Sequence, residues 1–333
     1  MCTAISFRNE DFYMGRTLDY ERSYGEEITV VPRNFTLNFT SGACNRHFAL
    51  IGMAHIADNF PLFYDAANEK GLCMAGLNFV GNAVYSKPRE DRVNVAQYEF
   101  IPYVLCRCKN VDEAKELIRE INLTDQAFSP SLPAAQLHWM IADRTQTAVV
   151  EYTANGLSIY DNPIGVMTNN PPFDQQLFGL NNYMSLSSGD PQSTFCQKLE
   201  LSRYSRGMGA LGLPGDLSSS SRFVRAAFTL LNSVSEAGEE QSVGQFFHIL
   251  GSVEQTRGCC EVEPGRYEIT IYTSCINASK GIYYYTTYLN RSIRAVDMFK
   301  ERLDGDSLSR FPLCQEEQIF FENRRQKQCK TSL

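Results

Sequence analysis

Hydrophobic and polar residues alternate at the start of the chain and predict a β-hairpin at its N-terminus. Residues 2–7 and 12–17 each alternate, and the polar turn Arg8-Asn9-Glu10-Asp11 separates them. Alternation with a period of two residues is typical of strands that bury one face. The first residues of the chain are therefore expected to be held in a sheet, whereas most chain ends fray.

The same pattern predicts more strands, with a mainly helical region before the last of them. The other predicted strands are 28–31, 48–54, 61–66, 72–79, 138–141, 147–152, 157–160, 267–275, 281–289 and 293–299. Apolar residues recur at helical spacing in 97–108, 111–121, 174–183, 220–233 and 243–252. Asn110 is the predicted N-cap of the second helix. Antiparallel strands at both ends of the chain with helices between them predict an α+β fold, with two packed sheets, helices outside and a single domain over residues 1–333.

Composition and charge exclude several classes of function. The 333 residues are 43% hydrophobic and 21% charged, and the formal charge of −7 disfavours a broad nucleic-acid surface. No apolar run approaches the ~20 residues that span a bilayer, so no membrane partner is expected. Charge at Arg8 arrives too early for a secretory leader. The eleven cysteines form no repeating framework, which predicts free thiols in a reducing cytoplasm.

One of these cysteines, Cys2, directly follows Met1. Cysteine is small enough for removal of the initiator methionine, which would leave Cys2 with a free α-amine. A free thiol has a pKa of about 8.5 and an α-amine one of about 7.7–8.0, so the amine can take the thiol proton at small cost. One residue would then supply both the nucleophile and its base. The alternative interpretation is an inert chain end.

A second motif lies on the return strand of the same hairpin and can therefore approach Cys2. It reads Gly15-Arg16-Thr17-Leu18-Asp19. Arg16 would stabilise a thiolate, and the Asp19 carboxylate would orient an α-ammonium group. A surface ion pair is the alternative for these two residues.

Motifs throughout the chain carry a resemblance to a known family. They are Met1-Cys2-Thr3, Gly15-Arg16-Thr17-Leu18-Asp19, Asn68-Glu69-Lys70-Gly71-Leu72, Gly76-Leu77-Asn78-Phe79, Leu137-His138-Trp139-Met140, Met167-Thr168-Asn169-Asn170-Pro171, Gly212-Leu213-Pro214-Gly215-Asp216, Ser221-Arg222-Phe223 and Tyr272-Thr273-Ser274-Cys275. With these motifs in this order, the chain resembles the choloylglycine hydrolase family, which comprises bile salt hydrolases and penicillin V acylases. Members of this family are N-terminal-nucleophile hydrolases. The matches run in register from residue 2 to near residue 299.

The resemblance implies a fold, a mechanism and a set of catalytic residues. The implied fold is an αββα sandwich, two stacked antiparallel sheets between layers of helices. The implied reaction is amide hydrolysis through a thioester, without cofactor or metal, in a homotetramer. The implied roles are nucleophile and base for Cys2, electrostatic partners for Arg16 and Asp19, an oxyanion hole from Asn169 and the backbone at Asn78, and an anchor of the polar network for Arg222.

Within the family, the residue at position 78 bears on the substrate. Bile salt hydrolases tend to have Asn there, whereas many penicillin V acylases have Tyr, so Asn78 favours an amide of a steroid acid with glycine or taurine. The implied substrate-binding residues are Leu18, Tyr64, Phe128 and Leu132, although each could equally be ordinary packing. Thr17 departs from the family motif, which often has Asn after the Arg, and this departure affects the polarity of the pocket.

Two other functions remain open from the sequence. The first is a penicillin V acylase with the same chemistry, and the second is a bile-salt or lipid-binding protein whose Cys2 is blocked. The two asparagines, Asn78 and Asn169, could also be turn residues that bond their own backbone.

Several further motifs point to no chemistry. Residues 207–212 match a dinucleotide fingerprint by letter but follow no clear strand, which predicts a glycine-rich loop. Cys259-Cys260 and Cys106-Arg107-Cys108 lack partner pairs at zinc spacing. His138 is predicted to be a packed or surface side chain, with a Cys–His catalytic pair as the alternative. Residues from about 320 to 333 are predicted to be a solvated basic tail.

Overall fold

The computed structural model describes residues 1–323 and contains two large antiparallel sheets. The strands are β1 (Cys2–Arg8), β2 (Phe12–Tyr20), β3 (Glu27–Val31), β4 (Leu37–Phe39), β5 (Gly42–Cys44), β6 (Leu50–Ala57), β7 (Phe60–Asn68), β8 (Cys73–Asn78), β9 (Val93–Ala96), β10 (Ile121–Thr124), β11 (Leu137–Ala142), β12 (Thr147–Thr153), β13 (Gly156–Asp161), β14 (Val166–Met167), β15 (Glu261–Glu263), β16 (Arg266–Tyr267), β17 (Ile269–Asn277), β18 (Ile282–Thr287), β19 (Arg294–Asp297) and β20 (Ser309–Pro312). The α-helices are α1 (Phe100–Leu105), α2 (Val111–Glu120), α3 (Phe173–Gly179), α4 (Ser219–Asn232) and α5 (Glu239–Gly251).

The two sheets contain strands from both ends of the chain. The six-stranded sheet has the order β14-β1-β2-β17-β18-β19, and the eight-stranded sheet has the order β13-β12-β11-β8-β7-β6-β3-β20. All neighbours in both sheets are antiparallel. Because β1 lies between β14 and β2, the N-terminus is fixed in the interior of the six-stranded sheet.

The sheets stack on each other, and helices cover their outer faces. Strands β1 and β2 contact β8 across the gap between the sheets. Helices α4 and α5 pack on the six-stranded sheet, and α1 packs on the eight-stranded sheet and against α2. This arrangement confirms the predicted α+β fold of two packed sheets with helices outside. Within residues 1–323, no helix is both long enough and apolar enough to cross a bilayer.

The alternation of apolar and polar residues located most strands of the two sheets. The N-terminal hairpin pairs β1 with β2, and Asn110 caps α2 by accepting a hydrogen bond from the Glu113 backbone N–H. The prediction of one helix over residues 97–108 was too long. A single 3₁₀ turn at Gln97–Glu99 precedes α1, which ends at Leu105.

Short strands were not predicted, because two to four residues give too little periodicity to recognise. They include β14, the parallel pair β9 and β10, and the edge strand β20. Strand β14 matters most, because it pairs with β1 and leads directly into the segment that contains Asn169. The predicted basic tail falls largely on residues 324–333, which lie outside the described residues.

The close approach of β2 and β17 gives a test of the packing in the six-stranded sheet. A Cβ atom at Gly15 would lie 2.0 Å from the Ser274 carbonyl oxygen, which is backbone and cannot move aside. Gly15→Ala should therefore lower the free energy of unfolding by about 1–3 kcal/mol or more. Gly244→Ala is the matched control, because no atom lies within 4 Å of its Cβ position in α5. The control should raise stability by up to about 1 kcal/mol, and urea unfolding measures both. Equal effects of the two substitutions would contradict this packing.

Candidate active site

The hairpin places the Cys2 thiol beside the Arg16 guanidinium. In the β1–β2 register Cys2 lies opposite Leu18, and Ala4 opposite Arg16. Cys2 and Arg16 are 2% and 1% exposed. Nη2 of Arg16 donates a hydrogen bond to Sγ of Cys2 at 2.5 Å. The nearest polar partner of the buried Cys2 sulfur is therefore a permanent cation.

Backbone carbonyls hold the Arg16 guanidinium in this position. Nη1 donates to the carbonyl oxygens of Gly76 at 2.5 Å and Tyr64 at 3.3 Å, and Nε donates to the Thr17 carbonyl at 3.2 Å. Burial alone would lower the pKa of Arg16, but nearby groups, with Cys2 the largest, outweigh that effect and raise it. Arg16 is thus a fixed positive charge, and its orientation comes from both sheets.

The N-terminal amine of Met1 lies in a pocket of oxygen atoms. It donates to the Asp19 carbonyl oxygen at 2.7 Å and forms an ion pair with the buried Glu268 carboxylate. The Met1 carbonyl in turn accepts a hydrogen bond from the Asp19 backbone N–H at 3.0 Å. The chain end is therefore held between β2 and the start of β17, as the pattern at the N-terminus predicted.

The Asp19 carboxylate is fully buried between two threonine hydroxyls. Thr17 donates to Oδ2 at 3.0 Å and Thr270 donates to Oδ1 at 2.7 Å. Burial raises the pKa of Asp19, and Arg222, the N-terminal amine and the two hydroxyls only partly oppose this rise. With Met1 present, the backbone carbonyl of Asp19 holds the terminal amine, and the carboxylate is a nearby negative charge.

Asn169 joins the nucleophile to the neighbouring sheet. Its Oδ1 accepts from the Cys2 backbone N–H at 2.8 Å, and its Nδ2 donates to the Asn78 carbonyl oxygen at 2.8 Å. The Asn78 carbonyl oxygen thus holds Asn169, and this contact does not involve the Asn78 backbone N–H, which is the group expected to donate to an oxyanion. Asn78 lines the cavity beside Cys2.

Arg222 reaches the same cluster from α4 and is fully buried. Nη1 donates to the Cys2 carbonyl at 2.5 Å and to Thr3 Oγ1 at 2.7 Å, and Nη2 donates to Asn169 Oδ1 at 2.8 Å. Desolvation lowers the pKa of Arg222, and the negative charge at Asp19 partly offsets the effect. Although Arg222 lies in the first turn of α4, its side chain is therefore part of the buried cluster and not of the helix surface.

An apolar cavity of about 590 Å³ opens beside Cys2. The four residues expected to contact substrate all line it, namely Leu18, Tyr64, Phe128 and Leu132. Further aromatic and aliphatic side chains complete the wall, among them Tyr24, Leu62, Phe63, Tyr98, Ile101 and Trp139. Cys2, Arg16 and Asn78 lie on the same wall, and Arg22 is a second guanidinium there.

Several residues of the network were assigned no role from the sequence, although Thr3 and Tyr272 lie inside family motifs. They are Thr3, Asp65, Gln176, Ser219, Thr270 and Tyr272. Asp65, for example, is 1% exposed and accepts hydrogen bonds from the hydroxyls of Tyr272 and Tyr283 at 2.7 and 2.6 Å. Its carboxylate also favours the charged form of Arg16. A carboxylate inside an otherwise apolar strand was the available signal, because buried charges are usually paired or functional.

Two of the motifs set aside from the sequence border this cluster. Sγ of Cys260 lies 3.5 Å from Oε2 of Glu268, and His138 bonds to the Thr168 carbonyl. Residues 207–212 are a loop with one 3₁₀ turn at Met208–Ala210. In the part of the chain that the structure describes, no group of three His, Cys, Asp or Glu side chains could bind a metal ion. His138 is a packed side chain with no exposure.

The assembled groups suit nucleophilic attack on a carbonyl carbon. They provide a thiol with a paired cation, amide donors next to it, and an apolar cavity that excludes water from a bound acyl group. The amine of the chain end lies within one residue of the thiol, so the base that such a nucleophile needs is also close.

A family model described as linear amide C–N hydrolases, choloylglycine hydrolase family, matches residues 2–311. A bile salt hydrolase/transferase from Lactiplantibacillus plantarum is 52% identical over 324 residues, which cover 97% of this chain and 100% of that protein. The C2A mutant of conjugated bile acid hydrolase from Clostridium perfringens superimposes with a TM-score of 0.90 at 36% identity, covering 97% of this chain and all of that chain. Penicillin V acylase from Agrobacterium tumefaciens, at 20% identity and a TM-score of 0.73, covers 93% of this chain and 90% of its own and shares the fold.

The contact between Arg16 and Cys2 predicts the reactivity of the thiol. Arg16→Gln should slow alkylation of Cys2 by iodoacetamide at pH 7 by about tenfold or more, because a neutral side chain no longer favours the thiolate. The rate is measured by mass spectrometry of the N-terminal peptide.

Two features of the chain shape this experiment. A hydrogen bond from Cys106 lowers the pKa of Cys44 to about 6, so all proteins should carry Cys44→Ser to remove a competing thiol. Arg107→Gln is the matched control, since Arg107 stacks on Tyr103 at 3.7 Å, away from Cys2. An unchanged rate in Arg16→Gln would show that Arg16 does not activate the thiol.

Proposed function

The chain belongs to the choloylglycine hydrolase family of linear amide C–N hydrolases, and from this membership and the geometry of its site we propose that it hydrolyses the amide bond of glycine- or taurine-conjugated bile salts. The observation that carries the proposal is the Cys2 thiol, paired with Arg16 at 2.5 Å on the wall of a large apolar cavity. A rigid steroid needs such a cavity, and its amide would lie next to the thiol.

The first chemical step needs the amine of Cys2, which removal of Met1 releases. Sγ forms a bond to the amide carbonyl carbon, and the thiol proton passes to the α-amine of the same residue. Negative charge develops on the carbonyl oxygen, where the side-chain amide of Asn169 and the backbone N–H of Asn78 supply donors. Arg16 holds the thiolate, and Asp19 and Arg222 fix the N-terminal residue that carries both reacting groups.

The second half of the reaction returns the enzyme to its starting state. The α-ammonium group gives its proton to the leaving amine as the C–N bond breaks, which leaves a thioester at Cys2. Water then attacks the thioester carbonyl, its proton passes to the α-amine, and the C–S bond breaks to release the steroid acid. The α-ammonium group returns its proton to the Cys2 sulfur, which restores the thiol and the free amine.

The apolar wall and the local cations support an anionic, amphipathic substrate. The chain carries a formal charge of −7, so its overall field repels such a molecule. Recognition must then come from burial of the steroid against residues such as Leu18, Tyr64, Phe128 and Leu132. Arg22, whose guanidinium stacks on Tyr24 at 4.8 Å, is a cation on the cavity wall besides Arg16.

A thioester also reacts with amines, and acyl transfer to an amine is a second candidate activity. The Lactiplantibacillus plantarum relative, 52% identical to this chain, is a bile salt hydrolase/transferase. In the transfer reaction an amine replaces water in the attack on the thioester carbon, and the remaining residues keep their roles.

A homotetramer in the cytoplasm is the form we expect in the cell. Large apolar side chains are exposed in residues 178–211, and association of copies would cover them. They are Phe178, Met184, Phe195, Leu199, Leu201, Tyr204 and Leu211. The ten cysteines in residues 1–323 are all free thiols, as a reducing compartment would keep them and as catalysis by Cys2 requires.

A comparison of three substrates tests the proposed function. Glycocholate and taurocholate should be cleaved at least tenfold faster than penicillin V, measured as kcat/KM, because position 78 is Asn and the cavity suits a steroid. The Cys2→Ala variant should cleave none of them, while Cys196→Ala, at an exposed cysteine, should match the wild type. Faster cleavage of penicillin V would overturn the interpretation of Asn78, and no turnover of any substrate would favour a binding protein.

A further inference from the structure

Asn169 lies outside regular structure, in the connection between β14 and α3, although its side chain contacts three partners in the site. It accepts from Cys2 and Arg222 and donates to Asn78, each at 2.8 Å. A displacement of about 1 Å in such a group is enough to cost a large part of the catalytic rate. The connection therefore needs support from the surrounding structure.

His138 supplies this support from β11, at a position with no solvent exposure. Its Nε2 lies 2.8 Å from the Thr168 carbonyl oxygen, directly before Asn169 in the chain. Its Nδ1 lies 3.0 Å from Oε1 of the buried Glu151 on β12. The same Oε1 accepts a hydrogen bond from the Phe173 backbone N–H at 3.0 Å. One imidazole–carboxylate pair thus holds both ends of the segment 168–173.

The hydrogen-bond partners restrict where the protons of this pair lie. A carbonyl oxygen only accepts, so Nε2 of His138 must carry a hydrogen that points at Thr168. Nδ1 lies at hydrogen-bond distance from a carboxylate oxygen, and the two contacts together fix the orientation of the ring. A side chain with a single polar atom at position 138 could not make both contacts.

The same imidazole also contacts the segment that contains Asn78. The Phe79 ring stacks on His138 with centroids 4.3 Å apart and planes inclined by 4°. In the β8–β11 register His138 lies opposite Leu77. His138 therefore touches the residue before Asn169 and the residue after Asn78, and it fixes the spacing of the two asparagines.

We propose that His138, held by Glu151, is a positioning residue that sets Asn169 against Asn78 and so aligns the amide donors of the oxyanion hole. Its effect on the rate rests on the proposed function, whereas its effect on the geometry does not. It contributes no proton to the reaction and does not line the cavity.

Two substitutions separate the hydrogen bonds of His138 from its stacking. His138→Phe keeps an aromatic ring against Phe79 but loses the bonds to Thr168 and Glu151. It should lower kcat with conjugated bile salts by about 10- to 100-fold and change KM by less than about threefold. His138→Gln retains a donor that can reach the Thr168 carbonyl. Its log kcat should therefore lie above that of His138→Phe by at least a third of the difference between the wild type and His138→Phe.

His47→Gln is the matched control, because His47 is also a buried histidine with both ring nitrogens on carbonyl oxygens, those of Phe48 and Phe35. It should lower the Tm as His138→Phe does, with kcat per active site unchanged. Active sites are counted by alkylation of Cys2 in the Cys44→Ser background. Dividing the rate by this count removes the effect of any misfolded fraction on kcat.

A crystal structure of His138→Phe gives a readout that does not depend on activity. The distance from Asn169 Nδ2 to the Asn78 carbonyl, 2.8 Å in the wild type, should exceed hydrogen-bond length. An unchanged distance, or a kcat per active site within twofold of the wild type, would overturn the proposal. If the wild type cleaves no bile salt while this distance does change, the proposed function fails and the positioning role stands.

Discussion

A buried cation that needs a partner is the constraint on which the site depends. Arg16 is 1% exposed and cannot lose its charge, and an unpaired guanidinium in a protein interior costs several kcal/mol. Its positive charge is stabilised by hydrogen bonds to three carbonyl oxygens and to the Cys2 sulfur, and by the nearby Asp65 carboxylate. The packing that satisfies Arg16 therefore also places its positive charge against the sulfur that reacts. The contacts that satisfy the buried Arg16 in the folded protein are thus the same contacts that place it beside Cys2.

The remaining polar groups are arranged around the N-terminal residue in the same way. Arg222 enters from α4 and binds the Cys2 carbonyl, while Asn169 binds the Cys2 N–H from the connection after β14. The first residue of β1 is therefore held from a helix, a loop and a neighbouring strand. A chain end with this many contacts has little freedom to fray. Such immobility is what a residue needs when its thiol and amine must both meet one carbonyl carbon.

Much of the fold and the main site residues were predictable from the sequence, for identifiable reasons. Alternation located the hairpin that brings Cys2 to Arg16, and motifs along the chain identified the family, which the family match confirms. The second layer of contacts was not predictable, because it joins residues distant in sequence. Thr270 meets Asp19 across 251 positions and Tyr272 meets Asp65 across 207. The role of His138 was not predictable either: it lies inside a family motif, but a packed histidine and a positioning histidine look the same in a sequence.

The central claim is that Cys2, freed of Met1, forms a thioester with the steroid acid. Rapid acid quenching of the enzyme during turnover of taurocholate, followed by mass spectrometry of the N-terminal peptide, tests it most directly. The expected product is a peptide that begins at Cys2 and carries one cholyl group on sulfur, and hydroxylamine should remove that group. Turnover by a protein that retains Met1, or an acyl group on any other residue, would contradict it.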